Sequence, residues 1–533
     1  MATFPAKHFS LSDRAPLLLP TVGLLLGILL RGPCPAVAFC ILAMASLGRW
    51  RKRNWLDLSL LLLFAAIGCL RAVQAAEAPI PAELCRPGLA MVIRVSRCTV
   101  RNYNSGRRIF GFARLEAVEG YGGRLGQQIY YTLALGDGLP VPQRGQPLRV
   151  RAAIHRTVGS GVPFERYLAD TGVRNRIDRG LVDAVGQGSI LSEALAKIFA
   201  RSSEALAIGM DPKETASHIY GAMLLGNRSQ LSPREKDTYS RTGIAHLFAI
   251  SGLHIGVIAA FLGAVTRGLP LSGWPLLLVR LVLLGGFVAM TGAGPSSLRA
   301  LTMVASLWMA PLFFRRASGL SSLAAAALLN LLFDPMALYS TGFQFSYAVV
   351  FSLFCFGVPL GYRLRGILFP PPPLFEKSRR GVRFFRRLSG RLCEAIALSI
   401  SATIPLIPLS LYHFQNFSFG GILLNVLVIP LADVAIVCGF GSICCGLFHF
   451  LIGSRLLNFL AYPLLWTIGA SANGVGSFHW IESRPLSVGS AVLVFWSAAL
   501  FWSLGNCLGR SRWRLLVPFA VALGPLPFLP AAA

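Results

Sequence analysis

Long apolar runs separated by short polar or basic stretches fill both ends of the chain, and a stretch of alternating apolar and polar positions lies between them. A membrane-crossing helix needs about 20 mostly apolar residues. Runs at 15–30, 36–47 and 55–73 predict three N-terminal spans, the second of them short. From Ile244 onward the chain is almost wholly apolar. Spans are expected there at 244–265, 274–290, 298–314, 320–332, 342–362, 392–411, 420–448, 456–472, 486–504 and 515–529.

Between Glu77 and Gly180 the runs shorten and alternate. Leu89–Ser96, Arg108–Val118, Gln128–Leu135 and Gln146–Ile154 are separated by turn signals at Asn104-Ser-Gly, Gly122-Gly, Gly136-Asp-Gly and Gln143-Arg-Gly. Short period-two segments at regular spacing predict a small β-barrel inserted between membrane helices. Leu191–Met210 and Pro212–Leu225 carry apolar residues at helical spacing and read as amphipathic helices, on the membrane surface or linking the barrel to the next span. The expected organisation is therefore 1–76 N-terminal helices, 77–180 barrel, 181–243 helical linker and 244–533 main membrane region.

Composition agrees with this class. Of 533 residues, 54% are hydrophobic and 14% charged, and mean hydropathy is +0.61; a soluble domain carries about 25% charged residues. These values exclude a soluble enzyme and a disordered regulator, and give a polytopic α-helical membrane protein with an inserted soluble β-barrel. The charge is lopsided, with 50 Lys and Arg against 22 Asp and Glu. With the barrel outside, the basic stretches 49–53, 315–316, 363–391, 455 and 510–514 all fall on the cytoplasmic side, as the positive-inside rule requires. The C-terminus lies outside if 420–448 crosses once; a re-entrant break at Pro430 would invert every later span.

Several chemistries are missing. No H-x-H, H-E-x-x-H or C-x-x-C pattern occurs, and no Lys follows a Gly, so zinc-hydrolase and P-loop signatures are absent. No catalytic residue, metal or cofactor is assigned. Cys85 and Cys98 stand apart from the cysteines of the apolar runs and are candidates for a disulfide in an oxidising outer compartment.

Three membrane segments carry polar groups at depth, where such groups face a cavity or a partner. The first, Thr242 to Gly256, contains His246, Ser251, Gly252 and His254; the two histidines share a face if the helix is continuous, and cross-helix hydrogen bonding is the plainer reading. The second, Thr291 to Arg299, contains Gly292, Gly294, Pro295 and Ser296; a Pro-initiated helix with Ser caps presents backbone N–H groups that favour anions, with Arg299 adding to them or reaching to the headgroups. The third combines Asp334-Pro335 with Gln344 and Ser346, and Asp334 is expected to pair with Arg299. Asn425 is a further polar residue in an apolar run.

Together these segments resemble the membrane domain of the ComEC family, the inner-membrane proteins of bacterial DNA uptake. The resemblance rests on His246-Leu-Phe-Ala-Ile-Ser-Gly-Leu-His-Ile-Gly, then Gly292-Ala-Gly-Pro-Ser-Ser-Leu-Arg-Ala, Asp334-Pro335, Gly342-Phe-Gln-Phe-Ser, Pro405, Asn425 and Pro430. Val162 to Val173 is similar to the end of the family's N-terminal OB-like domain. The resemblance implies a multi-pass protein of the bacterial cytoplasmic (inner) membrane that carries single-stranded DNA inward during natural transformation. Many relatives also carry a metallo-β-lactamase-like domain, and no H-x-H-x-D-H set is present here. A separate nuclease is therefore expected, with a periplasmic DNA receptor and a cytoplasmic ATPase or helicase as further partners.

The residues of the barrel fit a polyanion. Arg94, Arg97, Arg101, Arg107, Arg108 and Arg114 are interleaved with Tyr103, Phe110, Phe112, Tyr121, Tyr130 and Tyr131, and acids are few. OB-like barrels bind single strands by a basic groove and stacking aromatics, although alternate aromatics must also fill the barrel core. The basic loop 363–391 meets emerging DNA or, more commonly for such loops, anionic lipid. A secondary transporter of a small anionic solute would use the same broken, polar helices, but leaves the basic barrel without a role.

Overall fold

A computed structural model describes residues 18–29, 63–70, 86, 88–103, 106–121, 126–136, 138–142, 145–156, 168, 173, 175–228, 230–248, 250–313, 318–369, 380–414, 416–417, 420–476, 484–485 and isolated positions from 496 to 521. The expected spans at 36–47, 486–504 and 515–529 and the basic cluster 49–53 fall wholly or mostly outside these residues.

Five strands, β1 (Leu89–Tyr103), β2 (Gly106–Val118), β3 (Gln128–Leu135), β4 (Pro147–Arg156) and β5 (Asn175–Val185), close into a barrel in the order β1-β2-β3-β5-β4. The β3–β5 pairing is parallel and the others antiparallel, the connectivity of an OB-fold. Period-two patterning sets the inside: Ile109, Ala113, Leu115, Ile129, Tyr131 and Leu133 are fully buried, each large aliphatic member contributing about 1.5–3 kcal/mol. Tyr131 stands opposite Gly111 in the register, so the missing side chain leaves room for the phenol inside the barrel. Two register shifts in β1, at Val92/Ile93 and Val95/Arg97, bend that long strand so that it pairs with β2 along its length and with β4 at its start. The barrel runs to Val185, five residues beyond the expected boundary.

The helices are α1 (Leu18–Leu29), α2 (Ile190–Ala207), α3 (Thr215–Leu225), α4 (Pro233–Arg241), α5 (Gly252–Val265), α6 (Gly273–Met290), α7 (Pro295–Met309), α8 (Gly319–Phe333), α9 (Thr341–Ser352), α10 (Val358–Leu368), α11 (Arg380–Thr403), α12 (Leu406–Phe414), α13 (Gly420–Leu447) and α14 (Leu451–Gly476), with two-residue strands β6 (Asn416–Phe417) and β7 (Arg484–Pro485). Among the described residues five helical segments are long and apolar enough to cross a membrane: 273–290, 341–368, 389–413, 424–447 and 451–476. α9 and α10 form one of them, joined by a π-turn at Leu353–Gly357. Beside that turn Ser352 and Ser401 exchange hydrogen bonds to each other's carbonyls at 2.7 and 2.8 Å. α13 runs unbroken through Pro430, so the re-entrant alternative is not adopted.

Of the linker helices, α2 keeps an exposed face, with only Ser202, Ala205 and Leu206 buried, whereas α3 is not a surface helix. α3 is buried on nearly all sides in a core shared with α5, α6, α13 and α14. It lies against α13 because residue 439 is glycine; a Cβ there would stand 2.8 Å from Tyr220 Cε2. The end of α2 is held from α14, where Asn458 Nδ2 donates to the carbonyls of Ala205 at 2.8 Å and Ile208 at 3.0 Å. Those carbonyls are among the groups a helix C-terminus leaves unsatisfied.

Candidate functional site

The first polar segment does not form one continuous helix. A 3-10 turn at Ala245–Phe248 precedes α5, and Ser251 caps α5 in a box with His254. The Ser251 side chain accepts from the His254 amide at 3.4 Å, while His254 Nδ1 faces the Ser251 amide at 3.5 Å. His254 is 2% exposed, and its Nε2 is directed to the end of α3 near the Met223 carbonyl, outside hydrogen-bonding geometry. His246 is exposed in the turn, with Nδ1 3.1 Å from the Gly243 carbonyl. The break separates the two histidines into different elements, so a shared helical face does not exist. The next turn outward is fixed by Arg228, whose Nε donates to Phe248 O at 2.8 Å.

The second segment reverses the chain between α6 and α7. Gly292 and Ala293 both have left-handed backbone, at φ 94° and 44°. Gly294 then caps α7 with Pro295 in its first turn. Ser296 and Ser297 lie inside the helix and do not cap it. No side chain caps this helix, so the first-turn amides of Ser296 and Ser297 meet no capping acceptor. α5 and α9, in contrast, are capped by Ser251 and Ser340.

Arg299 brings the third segment in. It is 5% exposed, and its Nη2 donates to the Gly342 carbonyl in the first turn of α9 at 2.6 Å, while Nε is buried with no acceptor. The expected ion pair with Asp334 is not formed; Asp334 is exposed at the end of α8, and Arg299 is used on the backbone. One residue on, Ala300 abuts the start of α5: a Cβ on Gly252 would lie 3.6 Å from Ala300 Cβ. Thus α5, α7 and α9 all begin around Arg299 and Ala300, and the three polar segments become three converging helix N-termini. A fourth lies beside them. Gly421 at the start of α13 packs on the Gly243 backbone, and Asn425, one turn further, has a buried Oδ1 without a partner.

Gln344 is fixed from both sides, its Nε2 donating to Leu338 O at 3.2 Å and its Oε1 lying 2.8 Å from His413 Nε2. Ser346 is half-buried on α9. Sequence reasoning did not find His413, a lone histidine at the end of an apolar run. It also passed over Arg280 inside α6, whose Nε donates to Thr266 Oγ1 at 2.8 Å and whose guanidinium lies 5.7 Å from the Trp308 ring. Trp308 is nine residues beyond Arg299, about half a helical turn out of phase, so the two arginines lie on opposite sides of α7.

On the barrel, β2 and β3 turn Phe110, Phe112 and Tyr130 outward, half-buried, with Phe112 and Tyr130 edge to face at 5.5 Å. Arg108 and Arg114 are exposed on the same face of β2. Tyr131 belongs to the core instead. Arg94 is paired with Glu116 and donates to Gly145 O at 3.0 Å; Arg107 donates to Leu139 O at 3.2 Å. Both therefore brace the barrel. The side chains of Arg97, Arg101 and Tyr103 and all of Cys85 lie outside the described residues. Cys98 is a free thiol, so the expected disulfide is not present at that residue. Burial pushes its pKa up against the opposing effect of its hydrogen bond with Tyr131, and burial pushes the Tyr131 phenol up as well.

Among the described residues no three His, Cys, Asp or Glu side chains come together as a metal site. Over 221 residues the chain is 28% identical to ComE operon protein 3 of Bacillus subtilis (strain 168), covering 42% of this chain and 25% of that protein. It is 27% identical over 323 residues to the uncharacterized protein YcaI of Escherichia coli (strain K12), covering 57% of this chain and 38% of that one. The matches thus span well under two thirds of either relative. No solved structure matches the chain. The model of the Competence protein family matches residues 223–508, the region that holds the three converging helix starts and more than half of the sequence, and the chain belongs to that family.

Proposed function

We propose that the protein takes part in DNA uptake for competence by passing single-stranded DNA across the bacterial cytoplasmic membrane, as a channel without bond-breaking chemistry. The observation that carries this reading is the convergence of three helix N-termini on Arg299, one of them uncapped. Aligned N–H groups, the positive ends of helix dipoles and a guanidinium suit a phosphodiester. The outward aromatics Phe110, Phe112 and Tyr130, flanked by Arg108 and Arg114, supply the stacking and charge that a single strand meets first. By the sequence-derived topology the barrel and the three helix starts share the outer side, so the strand passes from one to the other. A separate nuclease supplies the single strand, a periplasmic receptor delivers it, and a cytoplasmic ATPase draws it in.

The uncapped start of α7 would accept a small anionic solute equally well, which is the second reading. Deleting the barrel, residues 89–185, separates the two: solute transport survives and DNA uptake does not. The direct test tracks fluorescent DNA in a strain lacking the protein, complemented with wild type or with His254→Ala. DNA held outside the inner membrane in the variant is expected; DNA reaching the cytoplasm at wild-type rates overturns the role of this site.

A further inference from the structure

Along α14, Tyr462, Trp466, Gly469, Ala470 and Asn473 recur at spacings that place them on one helix face. The first two are large and the next two small. The start of α3 docks on the small pair, where a Cβ on Gly469 would lie 3.3 Å from both Thr215 Cγ2 and Ile219 Cδ1. Beside this contact a cavity of about 360 Å³ opens between the two helices, with Tyr462 and Trp466 on its α14 side and Glu214, Thr215 and Ala216 forming its α3 side. It lies at the start of α3, the opposite end of that helix from the one that meets His254.

Its chemistry is two-sided. Glu214 faces the Tyr462 and Trp466 side of the cavity, and among the described residues no Lys, Arg or His side chain pairs with it. Helix capping does not account for it, since Glu214 occupies the N-cap of α3 without a side-chain cap bond. The exposed carboxylate therefore stands at the mouth of the cavity beside two aromatic side chains, an arrangement that suits an ammonium group. Next to it, the amides of Thr215 and Ala216 open α3, while the next two amides, of Ser217 and His218, are already turned onto Glu214 O. Two donors at a helix start, preceded by the exposed Lys213, suit a phosphate. The cavity opens on a membrane-crossing helix whose outer surface is apolar, with Leu456 and Phe459 60% and 74% exposed. Acyl chains would cover that surface.

We propose that this cavity binds the headgroup of a zwitterionic aminophospholipid, phosphatidylethanolamine in chemical class, with the ammonium at Glu214, Tyr462 and Trp466 and the phosphate at the Thr215 and Ala216 amides. The site is independent of DNA passage. The test uses the full chain in detergent, with retained lipid measured by native mass spectrometry against phosphatidylethanolamine and phosphatidylglycerol. The wild type binds phosphatidylethanolamine at least about tenfold more tightly than phosphatidylglycerol, and Glu214→Gln loses about tenfold, as expected for one hydrogen bond to a charged group. Glu214→Asp retains the preference. Trp466→Leu, at a 61% exposed position, weakens it without touching the α3 contact, which guards against a folding defect in the first variant. Equal binding of the two lipids, or unchanged affinity in Glu214→Gln, overturns the proposal. Displacement by equimolar soluble phosphoethanolamine overturns the lipid as ligand, since the acyl chains would then add nothing.

Discussion

Arg299 on α7 donates to the carbonyl of Gly342 on α9 at 2.6 Å while its Nε stays buried without an acceptor. A guanidinium left partly unsatisfied at depth is costly and marks a functional position. Replacing it by Ala should lower uptake of labelled DNA at least about tenfold, the worth of one contact to a charged group, with the protein still present in the membrane. Arg299→Lys should recover only part of the loss, because an ammonium cannot serve Gly342 O and a passing phosphate with one planar fork. Wild-type uptake by Arg299→Ala would reduce the residue to a packing role.

Gly294 offers a test in which stability and function move in opposite directions. Its backbone, at φ −59° and ψ 153°, suits any N-cap residue, and a Cβ there would meet nothing closer than Ser297 Oγ at 4.0 Å. Gly294→Ser supplies the missing cap and should stabilise α7 by a few tenths of a kcal/mol. The new hydroxyl would occupy an amide that the proposed path leaves open, so DNA uptake should fall. A variant that melts higher and takes up DNA as well as wild type would show that the uncapped start is not used.

The three polar segments were legible because glycines and polar side chains inside apolar runs have few inexpensive explanations. Their meeting was not legible. It depends on Arg299 reaching Gly342, 43 residues away, and no local pattern encodes that pair. Four strands of the barrel showed period-two alternation. The fifth, Asn175–Val185, did not announce itself, because Arg176, Asp178 and Gly180 dilute its apolar face. α3 was misread as amphipathic for a related reason. Eleven residues are too few to separate a buried helix from a half-buried one, and its burial comes from Gly439 and Gly469 on distant helices. Gln344–His413 and Arg280–Thr266 are likewise tertiary facts.

The outer face of β2 and β3 divides its work between charge and stacking, and the two should separate experimentally. Arg114 is exposed, whereas Arg94 on the neighbouring strand is tied to Glu116. In fluorescence anisotropy of the full chain with a labelled single-stranded oligonucleotide, Arg114→Ala should reduce the slope of log affinity against log salt by about 1. Phe112→Ala or Tyr130→Ala should cost about 1–3 kcal/mol per stacked base and leave that slope unchanged. Identical salt slopes for all three variants would mean that Arg114 meets no phosphate.

Glu235 predicts a pH dependence of stability outside the membrane spans. It closes the capping box of α4, accepting from the Ser232 amide at 2.7 Å, and lies 3.6 Å from His218 on α3. Burial pushes its pKa up, but the hydrogen bonds from Ser232 and Thr215 and the neighbouring His218 outweigh burial and hold it below the ordinary 4.5. A carboxylate with a depressed folded pKa stabilises fully above its unfolded value, and that contribution is lost as pH falls through the folded value. Thermal unfolding monitored by intrinsic fluorescence should therefore show a loss of stability below about pH 4.5 that is smaller in Glu235→Gln. Glutamine can still complete the capping box, so the variant should remain folded at neutral pH, and an unaltered acid limb in that variant would assign the loss to other carboxylates.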